Sequence, residues 1–250
     1  MSLPFVDYER HGRTYAAHRQ PDPTIAAAIS TALDEAQTVV NVGAGAGSYE
    51  PTDRSVVAVE PSAVMRAQRP VGASPVVAGR AEALPFPDKA FDAAMASVTI
   101  HHWRPAAAGL AEMRRVAAGP VVVLTFELSA LPAWQRYYLE EALIMDESRF
   151  PSLDTIAEVL GGRARVERIR TPAACTDGFL EAFWRRPEAL LDARVRSAQS
   201  FWPLLAPGAE ERIVGRLADD LRTGARDRRW GHLRNQDGFD GSLRLLVSEP

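Results

Sequence analysis

The 250-residue chain carries 29 basic and 32 acidic side chains, which gives a formal net charge of −3. This balance provides no general attraction to nucleic acid or to an anionic membrane, so we expect neither as a partner. A chain of this length buries about 70–75% of the surface that it exposes when unfolded, which favours a single domain over residues 1–250. No stretch reaches the ~20 apolar residues of a membrane span, and the charged N-terminus is unlike a secretory signal, so we expect a cytoplasmic protein.

Cysteine and lysine usage narrow the setting further. Cys175 is the only cysteine, so no intrachain disulfide can form, and we interpret it as a buried core residue. Lys89 is the only lysine, and the near-exclusive use of arginine is typical of a GC-rich bacterial coding sequence. No group of histidines and cysteines has the spacing of zinc ligands, so we predict no metal site.

The first half of the chain alternates between helix and strand patterns. Ile25, Ile29 and Leu33 recur every four residues, which predicts a helix before the first strand. We then predict strands at residues 39–42 and 55–59, a helix at 61–68, and strands at 76–78 and 91–97. A helix at 106–117 and a continuously apolar strand at 121–126 follow. Alternation of this kind favours a doubly wound, parallel sheet.

The second half of the chain is dominated by helix patterns. We predict helices at residues 131–149 and 154–160, followed by a strand at 164–169. Two further helices are predicted at 187–201 and 209–223, the second ended by Gly224. The last predicted strand covers residues 242–248.

A glycine-rich turn follows the first predicted strand. Glycines stand at positions 43, 45 and 47, and the next strand stops at Glu60, 17 residues after Gly43. Glycines let a backbone turn pass close beneath a ligand because they lack a Cβ, and the carboxylate can hold the hydroxyls of a ribose. The pattern is typical of a site for a nucleotide-ended cofactor. This pattern alone does not distinguish a nicotinamide dinucleotide from another nucleotide-ended cofactor. A dinucleotide fingerprint would place a glycine where this chain has Ser48, which disfavours the dinucleotide.

Three later segments favour a cofactor other than a nicotinamide dinucleotide. They are residues 79–92 (GRAEALPFPDKAFD), residues 100–103 (IHHW) and residues 112–116 (EMRRV). With these motifs in this order, the chain resembles the class I S-adenosylmethionine-dependent methyltransferases, and within them the small-molecule branch that includes the ubiquinone and menaquinone biosynthesis enzymes. The resemblance covers about residues 15–127 by motif and the rest by layout.

The resemblance implies a fold and a division of the chain. The fold is a Rossmann-like, doubly wound α/β domain, with a mainly parallel sheet of about seven strands and an antiparallel last strand. Residues 1–36 would cover the cofactor, residues 37–127 would form the cofactor-binding core, and residues 128–250 would form the substrate-side half. A helical elaboration is expected between the last two strands, at about residues 171–240.

The resemblance also implies which residues hold S-adenosylmethionine. In this family the glycine turn lies under the methionine and ribose, the acid after the second strand holds the ribose, and the loop after the third strand borders adenine. The cofactor-binding residues are then Tyr15, Arg19, Asn41, Gly43, Ala44, Gly45, Gly47, Glu60, Pro61, Ala81, Glu82, Ser97 and His102. Arg19 suits a carboxylate because its fork can donate two parallel hydrogen bonds. Asn41 and Arg80 depart from the family, which usually has acidic residues at both positions.

Two histidines are the candidates for catalysis. His101 and His102 follow the fourth predicted strand, at the sheet edge where ligands of open α/β sheets bind. Either could serve as a general base or as a positioning residue, and the alternative is that both pack around the cofactor. Substrate contacts are predicted for Tyr8, His11, Trp103, Trp184, Arg185 and Trp230. For the last three residues, the alternative is a helical elaboration whose aromatic side chains fill its own core.

The sequence therefore predicts transfer of a methyl group from S-adenosylmethionine to an O, N or C atom of a small-molecule acceptor, by a monomer or homodimer. One alternative is a nicotinamide-dependent oxidoreductase, which Ser48 disfavours. The other is a non-catalytic, cofactor-binding regulatory protein of the same fold, which the substitutions at Asn41 and Arg80 favour.

Overall fold

Nine strands form two sheets in a computed structural model that describes residues 6–146 and 149–250. In chain order the strands are β1 (Thr38–Val42), β2 (Ser55–Val59), β3 (Val76–Val77), β4 (Ala93–Ser97), β5 (Val121–Phe126), β6 (Arg163–Arg168), β7 (Thr171–Pro172), β8 (Gly238–Phe239) and β9 (Leu243–Glu249). The main sheet has seven strands in the order β3-β2-β1-β4-β5-β9-β6, and β7 pairs with β8 in a short separate ribbon.

The strand directions match the predicted Rossmann-like topology. Strands β1 to β5 pair in parallel, whereas β9 runs antiparallel to both of its neighbours, β5 and β6. The predictions of a mainly parallel, seven-stranded sheet and of an antiparallel last strand are confirmed. Because β1, β2 and β4 are parallel neighbours, their carboxyl ends lie together at one edge of the sheet.

Helices cover both faces of the sheet. In the described residues they are α1 (Tyr8–His11), α2 (Tyr15–His18), α3 (Pro23–Ala32), α4 (Ala63–Arg66), α5 (Ala106–Val116), α6 (Ala133–Asp146), α7 (Leu153–Leu160), α8 (Ala193–Arg196), α9 (Ala209–Arg222) and α10 (Ala225–Trp230). None of these helices has the length and apolar character that crossing a bilayer requires.

Two apolar layers sandwich the main sheet. The predicted stripe of α3, with Ile25, Ile29 and Leu33, packs in the layer on one face. Helices α5 and α7 pack in the layer on the other face. Strand β5 is buried along Val121–Leu124 because it is covered on both sides, which explains its uninterrupted apolar sequence. Cys175 is fully buried in the α3 layer, as predicted, and burial raises the pKa of its thiol to about 12.

The elaboration between β6 and β9 shares a third apolar core with α6. This core contains Trp134, Tyr138, Leu139, Phe183, Trp184, Leu190, Phe201, Trp202, Ile213, Leu217 and Leu233. The side chains come from α6, α9 and short 3₁₀ segments, which include Leu180–Phe183 and Trp202–Leu204. The prediction of a helical elaboration holds, and the β7–β8 ribbon brings its two ends together.

Two predicted helices are shorter in the structure. The helix predicted at 187–201 is a 3₁₀ segment, Pro187–Leu191, followed by the four-residue α8. Asp192 separates the two because its backbone is extended and its side chain accepts from the Arg194 N–H, which begins a new helix. The helix predicted at 61–68 is the four-residue α4. Ser62 is its N-cap, and the Ser62 hydroxyl accepts from the Met65 N–H. Residues 147–148 of the predicted 131–149 helix, and residues 1–5 of the predicted covering segment, lie outside the described residues.

Candidate active site

The glycine turn lies at the carboxyl end of β1, where sequence analysis predicts it. Gly43 and Gly45 have φ angles of 68° and 54°, which disfavour residues with a Cβ. At Gly43 an added Cβ would also collide with the Thr99 hydroxyl. The Gly43 and Ala44 N–H groups both donate to the Val59 carbonyl, so the turn is tied to the end of β2. The turn therefore lies between the end of β2 and Thr99.

Glu60 lies at the centre of this edge. Its Oε2 accepts from the Gly45 N–H at 2.9 Å, and its Oε1 accepts from the Ser62 N–H at 2.8 Å. The side chain is buried, and this burial raises the pKa of the carboxyl group against the lowering effect of those two hydrogen bonds. Each carboxylate oxygen can accept more than one hydrogen bond, so both keep capacity for ligand hydroxyls.

Two adjoining cavities, together called the cofactor cleft here, open above the turn. Both are lined by Tyr8, Gly43, Glu60, Thr99 and His102. The first is also lined by the predicted residues Tyr15, Asn41, Ala44, Gly45 and Ser97. The second is also lined by Pro61, Ala81, Glu82 and Trp103. The structure thus brings most of the predicted cofactor residues to one cleft.

Gly47 and Arg19 lie outside the lining of this cleft. Gly47 packs beside the Arg69 guanidinium. Arg19 forms a buried ion pair with Asp177, with its Nε 2.5 Å from Oδ1, and Tyr49 donates its hydroxyl hydrogen to Oδ2 of the same aspartate at 2.8 Å. The structure thus places Arg19 outside the cofactor cleft, with the Nε–Nη2 edge of its guanidinium facing a carboxylate of this chain.

Asn41 belongs to a buried polar network that sequence analysis misses. Its Nδ2 donates to Glu50 at 3.1 Å, and Arg69 donates two hydrogen bonds to the same carboxylate, at 2.9 and 2.7 Å. An acid absent from position 41 is thus present nine residues later in the chain, beside Asn41 in space. Arg80 lines the cleft with a largely exposed side chain, 3.5 Å from Glu82.

His102 is held in one tautomer. Arg149 can only donate, so Nδ1 of His102, 3.4 Å from Arg149 Nη2, is the acceptor. The neutral ring then carries its proton on Nε2, which donates to the Tyr8 hydroxyl oxygen at 2.9 Å. Burial first, and then the charge of Arg149, lower the pKa of His102 to about 3. His102 is therefore neutral and is bound to the N-terminal segment.

His101 has different surroundings from its neighbour. It is buried and stacks on Phe150, with ring centroids 4.2 Å apart and an interplanar angle of 12°. Burial, reinforced by His102 and Arg149, lowers its pKa well below the ordinary value. Nδ1 of His101 has no hydrogen-bond partner among the described residues. This imidazole is neutral and can accept a hydrogen bond.

A further cavity, called the aromatic chamber here, begins where His101 lies. It is lined by Arg19, Val98, His101, Phe126, Leu128, Leu131, Gln135, Phe150, Phe179, Leu180, Glu181, Gln199, Ser200, Phe201 and Ser242. Val98 lines both this chamber and the cofactor cleft, and the His101 ring lies 3.9 Å from that of His102. The two spaces therefore meet at the end of β4.

Most of the chamber residues are missed by sequence analysis. Phe126 carries a detectable signal, because it ends a buried parallel strand at the ligand-binding edge. Gln135, Phe179 and Glu181 carry none, since they lie on α6 or in the elaboration, far along the chain from the glycine turn.

The predicted substrate residues divide into two groups. Tyr8 and Trp103 line the cofactor cleft. The other four lie outside the cleft and the aromatic chamber. His11 is exposed on α1. Trp184, fully buried, stacks on Phe239; Arg185 is exposed and donates to the Arg234 carbonyl; Trp230 packs against Tyr137 and Tyr138.

The aromatic residues of the elaboration thus follow the alternative reading, in which they build a core. Trp184 and Trp230 are part of that core or pack against it, because the elaboration needs large apolar side chains to cohere away from the sheet. Among the described residues, no group of three or more His, Cys, Asp or Glu side chains is arranged to hold a metal ion.

Comparison with known proteins gives one long match and several fold matches. A family model described as a methyltransferase domain matches residues 40–120. A crystal structure described as that of a methyltransferase from an antibiotic biosynthesis pathway of Anabaena variabilis ATCC 29413 is 31% identical, with a TM-score of 0.85 over 94% of this chain and 99% of that chain. No curated protein matches the chain.

Two more distant structures share the fold. A S-adenosylmethionine-dependent methyltransferase of Thermotoga maritima is 16% identical, with a TM-score of 0.52 over 97% of this chain and 91% of that one. Geranyl diphosphate C-methyltransferase of Streptomyces coelicolor A3(2) is 14% identical, with a TM-score of 0.51 over 90% of this chain and 78% of that one.

Proposed function

Because the chain belongs to the S-adenosylmethionine-dependent methyltransferases, we propose that it methylates a small, largely apolar acceptor held in the aromatic chamber. One observation carries this proposal: the chamber meets the cofactor cleft at Val98 and at the paired histidines. A donor in the cleft and an acceptor in the chamber would then be neighbours. Holding two reactants in line can supply ~7–11 kcal/mol of the barrier to a bimolecular reaction.

The residues of the cleft fit the donor in a defined orientation. The carboxylate of Glu60 would accept from the ribose hydroxyls, and Ala81, Glu82 and Trp103 would border adenine. Asn41, Ala44 and Tyr15 would surround the methionine end, in the cavity nearer to β4. When bound, the donor supplies a sulfonium methyl group that needs no activation by a metal.

We assign different roles to the two histidines. His101 lines the chamber and has an unpartnered Nδ1, so it would accept a hydrogen bond from the acceptor and orient the atom to be methylated. Its lowered pKa keeps it neutral, and makes it a weak base at the same time. His102 is committed to Tyr8 and Arg149, so we assign it the positioning of Tyr8 over the cleft.

Two alternative functions were predicted from the sequence. A nicotinamide-dependent oxidoreductase is not favoured, since the family match and the 31%-identical structure both indicate methyl transfer. The non-catalytic reading predicts cofactor binding without turnover. We expect the enzyme to act in the bacterial cytoplasm, as a monomer or homodimer, on grounds of composition alone.

Titration and turnover together test the proposed function. Isothermal titration is expected to show micromolar binding of S-adenosylhomocysteine and none of NADH, and the reverse result would overturn the proposal. A screen of phenols, amines and carboxylates with the methyl donor is expected to find turnover, which the non-catalytic reading excludes. His101→Gln should then lower kcat at least about tenfold with unchanged cofactor affinity, whereas His232→Gln, at an exposed site, should change neither.

A further inference from the structure

The aromatic chamber contains a buried amide that the protein leaves unsatisfied. Gln135, in the first turn of α6, lines the chamber and is only 1% exposed. Its Oε1 has no hydrogen-bond partner among the described residues. Buried polar groups are nearly always paired, and an unpaired one destabilises the fold. An apolar side chain of the same size would pack there at lower cost, so the fold does not account for the amide.

Two other polar groups of the chamber wall are acceptors as well. Nδ1 of His101 is unpartnered, and Glu181, itself 1% exposed, contributes a carboxylate that already accepts from Thr171 and from the N–H and hydroxyl of Ser242. No described arginine forms an ion pair with Glu181. Arg19 also lines the chamber, but its charge is paired with Asp177. The wall therefore presents the unpaired Glu181 carboxylate and the lone pairs of Gln135 and His101 to whatever the chamber binds.

Several donors of the chamber wall are already used. Arg19 donates to Asp177, and Gln199 donates its amide hydrogen to the Gly178 carbonyl. The Ser242 hydroxyl donates to Glu181. A ligand that fits this wall must bring donors and must not bring a negative charge, because an anion would face the Glu181 carboxylate in an apolar surrounding.

The shape of the chamber adds a second requirement. Phe126, Phe150, Phe179 and Phe201 all line it, and the Phe150 ring lies nearly parallel to that of His101. Aromatic walls of this kind favour flat ligands, which can stack on or pack edge-on against the rings.

We propose that the acceptor is a flat, uncharged, apolar molecule with two hydrogen-bond donor groups, and that Gln135 selects it by accepting from the donor remote from the methylated atom. The inference rests on the proposed function, in which His101 accepts a hydrogen bond from the group that carries the atom to be methylated. Gln135 is then a specificity residue. A site built to accept a hydrogen bond discriminates strongly against analogues that lack the donor.

Matched ligands test this without turnover, in the presence of saturating S-adenosylhomocysteine. The probes are 2-naphthol, with one hydroxyl, and 1,5-, 2,6- and 2,7-dihydroxynaphthalene, with two. The best diol is expected to bind the wild-type protein at least about tenfold more tightly than 2-naphthol. In Gln135→Met, which keeps the length and removes the acceptor, this preference should fall to within about twofold.

Thr125→Val is the matched control. Thr125 on β5 is equally buried and its Oγ1 also lacks a partner among the described residues, but it does not line the chamber. Both substitutions remove an unsatisfied buried polar atom, so both should raise the melting temperature. Only Gln135→Met should lose the preference for the diol. A purely structural Gln135 would instead lower the melting temperature when replaced.

The outcomes separate the inference from the proposed function. If Gln135→Met keeps the diol preference, or if the wild-type protein shows none, the inference is wrong and the methyl-transfer assignment stands. If no naphthol binds the wild-type protein while S-adenosylhomocysteine does, the chamber is not the acceptor site, and both proposals fail. If 2-naphthoate binds more tightly than 2-naphthol, the exclusion of anions is wrong and the inference fails with it.

Discussion

At the scale of single residues, Glu60 serves the fold and the cleft together. Its two oxygens accept from Gly45 and Ser62, which lie on either side of it, and so fix the glycine turn to the start of α4. The same carboxylate lines both cavities of the cofactor cleft. Burying a charged carboxylate costs free energy, and for the same reason burial raises the pKa of Glu60. A ligand with hydroxyl groups would offset part of that cost.

Glu60→Gln should weaken S-adenosylhomocysteine binding about tenfold. Hydrogen bonds to a charged group contribute ~1.5–3 kcal/mol against ~0.5–1.5 kcal/mol for neutral ones, and ~1.4 kcal/mol corresponds to tenfold. Isothermal titration measures the change. Glu112→Gln is the control, since Glu112 forms an ion pair with Arg115 on α5 and should leave the affinity within about twofold. Unchanged affinity in Glu60→Gln would contradict its role at the ribose.

Acid should destabilise the protein through its buried histidines. In the folded state the pKa of His101 lies well below its ordinary value of 6.5, and that of His102 lies at about 3, whereas both titrate near ~6.5 in the unfolded chain. Below that pH the unfolded chain binds more protons, so the free energy of unfolding falls as the pH falls. Urea unfolding at pH 7.5 and 5.5 should show this loss, with a smaller loss in His101→Gln. Equal losses in the two proteins would argue against a neutral, buried His101.

At the scale of elements, the N-terminal segment is fastened to the elaboration across the molecule. Arg19, just after α2, pairs with Asp177, which also accepts from Tyr49. Both partners of the ion pair are buried, and the Arg19 guanidinium lies over the Tyr15 ring, 5.1 Å from its centre. Since α1 and α2 carry Tyr8 and Tyr15 into the cleft, this pair holds the cover of the cleft in position.

Asp177→Asn should lower the free energy of unfolding by about 3 kcal/mol, because it leaves a buried guanidinium without its counter-charge. Urea denaturation gives the value. The exposed pair of Asp192 with Arg194 provides the comparison, and Asp192→Asn should cost no more than ~1 kcal/mol. If the two variants lose equal stability, the buried pair is not what fastens the segment.

At the scale of the whole molecule, the chamber forms where three parts meet. The end of β4 supplies Val98 and His101, β5 supplies Phe126, and the region from α6 through the elaboration supplies Gln135 and Phe179, among others. The core of the elaboration holds these last residues in place against the sheet edge. Trp184 belongs to that core and not to a binding surface.

Trp184→Ala should lower the free energy of unfolding by ~3–5 kcal/mol through lost burial and the cavity left behind. The affinity for S-adenosylhomocysteine should stay within about twofold of the wild-type value, since Trp184 does not line the cofactor cleft. Thermal unfolding and titration measure the two effects, and Trp184→Phe serves as a milder variant. A variant of normal stability would show that the indole is not a core anchor.

The sequence by itself determined the strands of the sheet, most of the helices that cover it, and the glycine turn and acid of the cofactor cleft. The spacing of apolar residues every four positions predicts α3, because a helix on a sheet buries one face. Nearly continuous apolar runs predict β1 and β5, because strands covered on both sides bury both faces. The turn at Gly43 and the acid at Glu60 could also be predicted, since both positions are adjacent to strand ends and depend only on local chain geometry.

The tertiary structure alone decided which buried polar side chains pair with each other. Arg19 pairs with Asp177, 158 positions away, and lies outside the cofactor cleft. Asn41 lines the cleft but donates its amide hydrogen to Glu50. The chamber around Gln135 likewise exists only once the elaboration is packed against the sheet. Local patterns encode which face of an element is buried, but the partner of a buried polar group is chosen by three-dimensional proximity, to which spacing along the chain gives no guide.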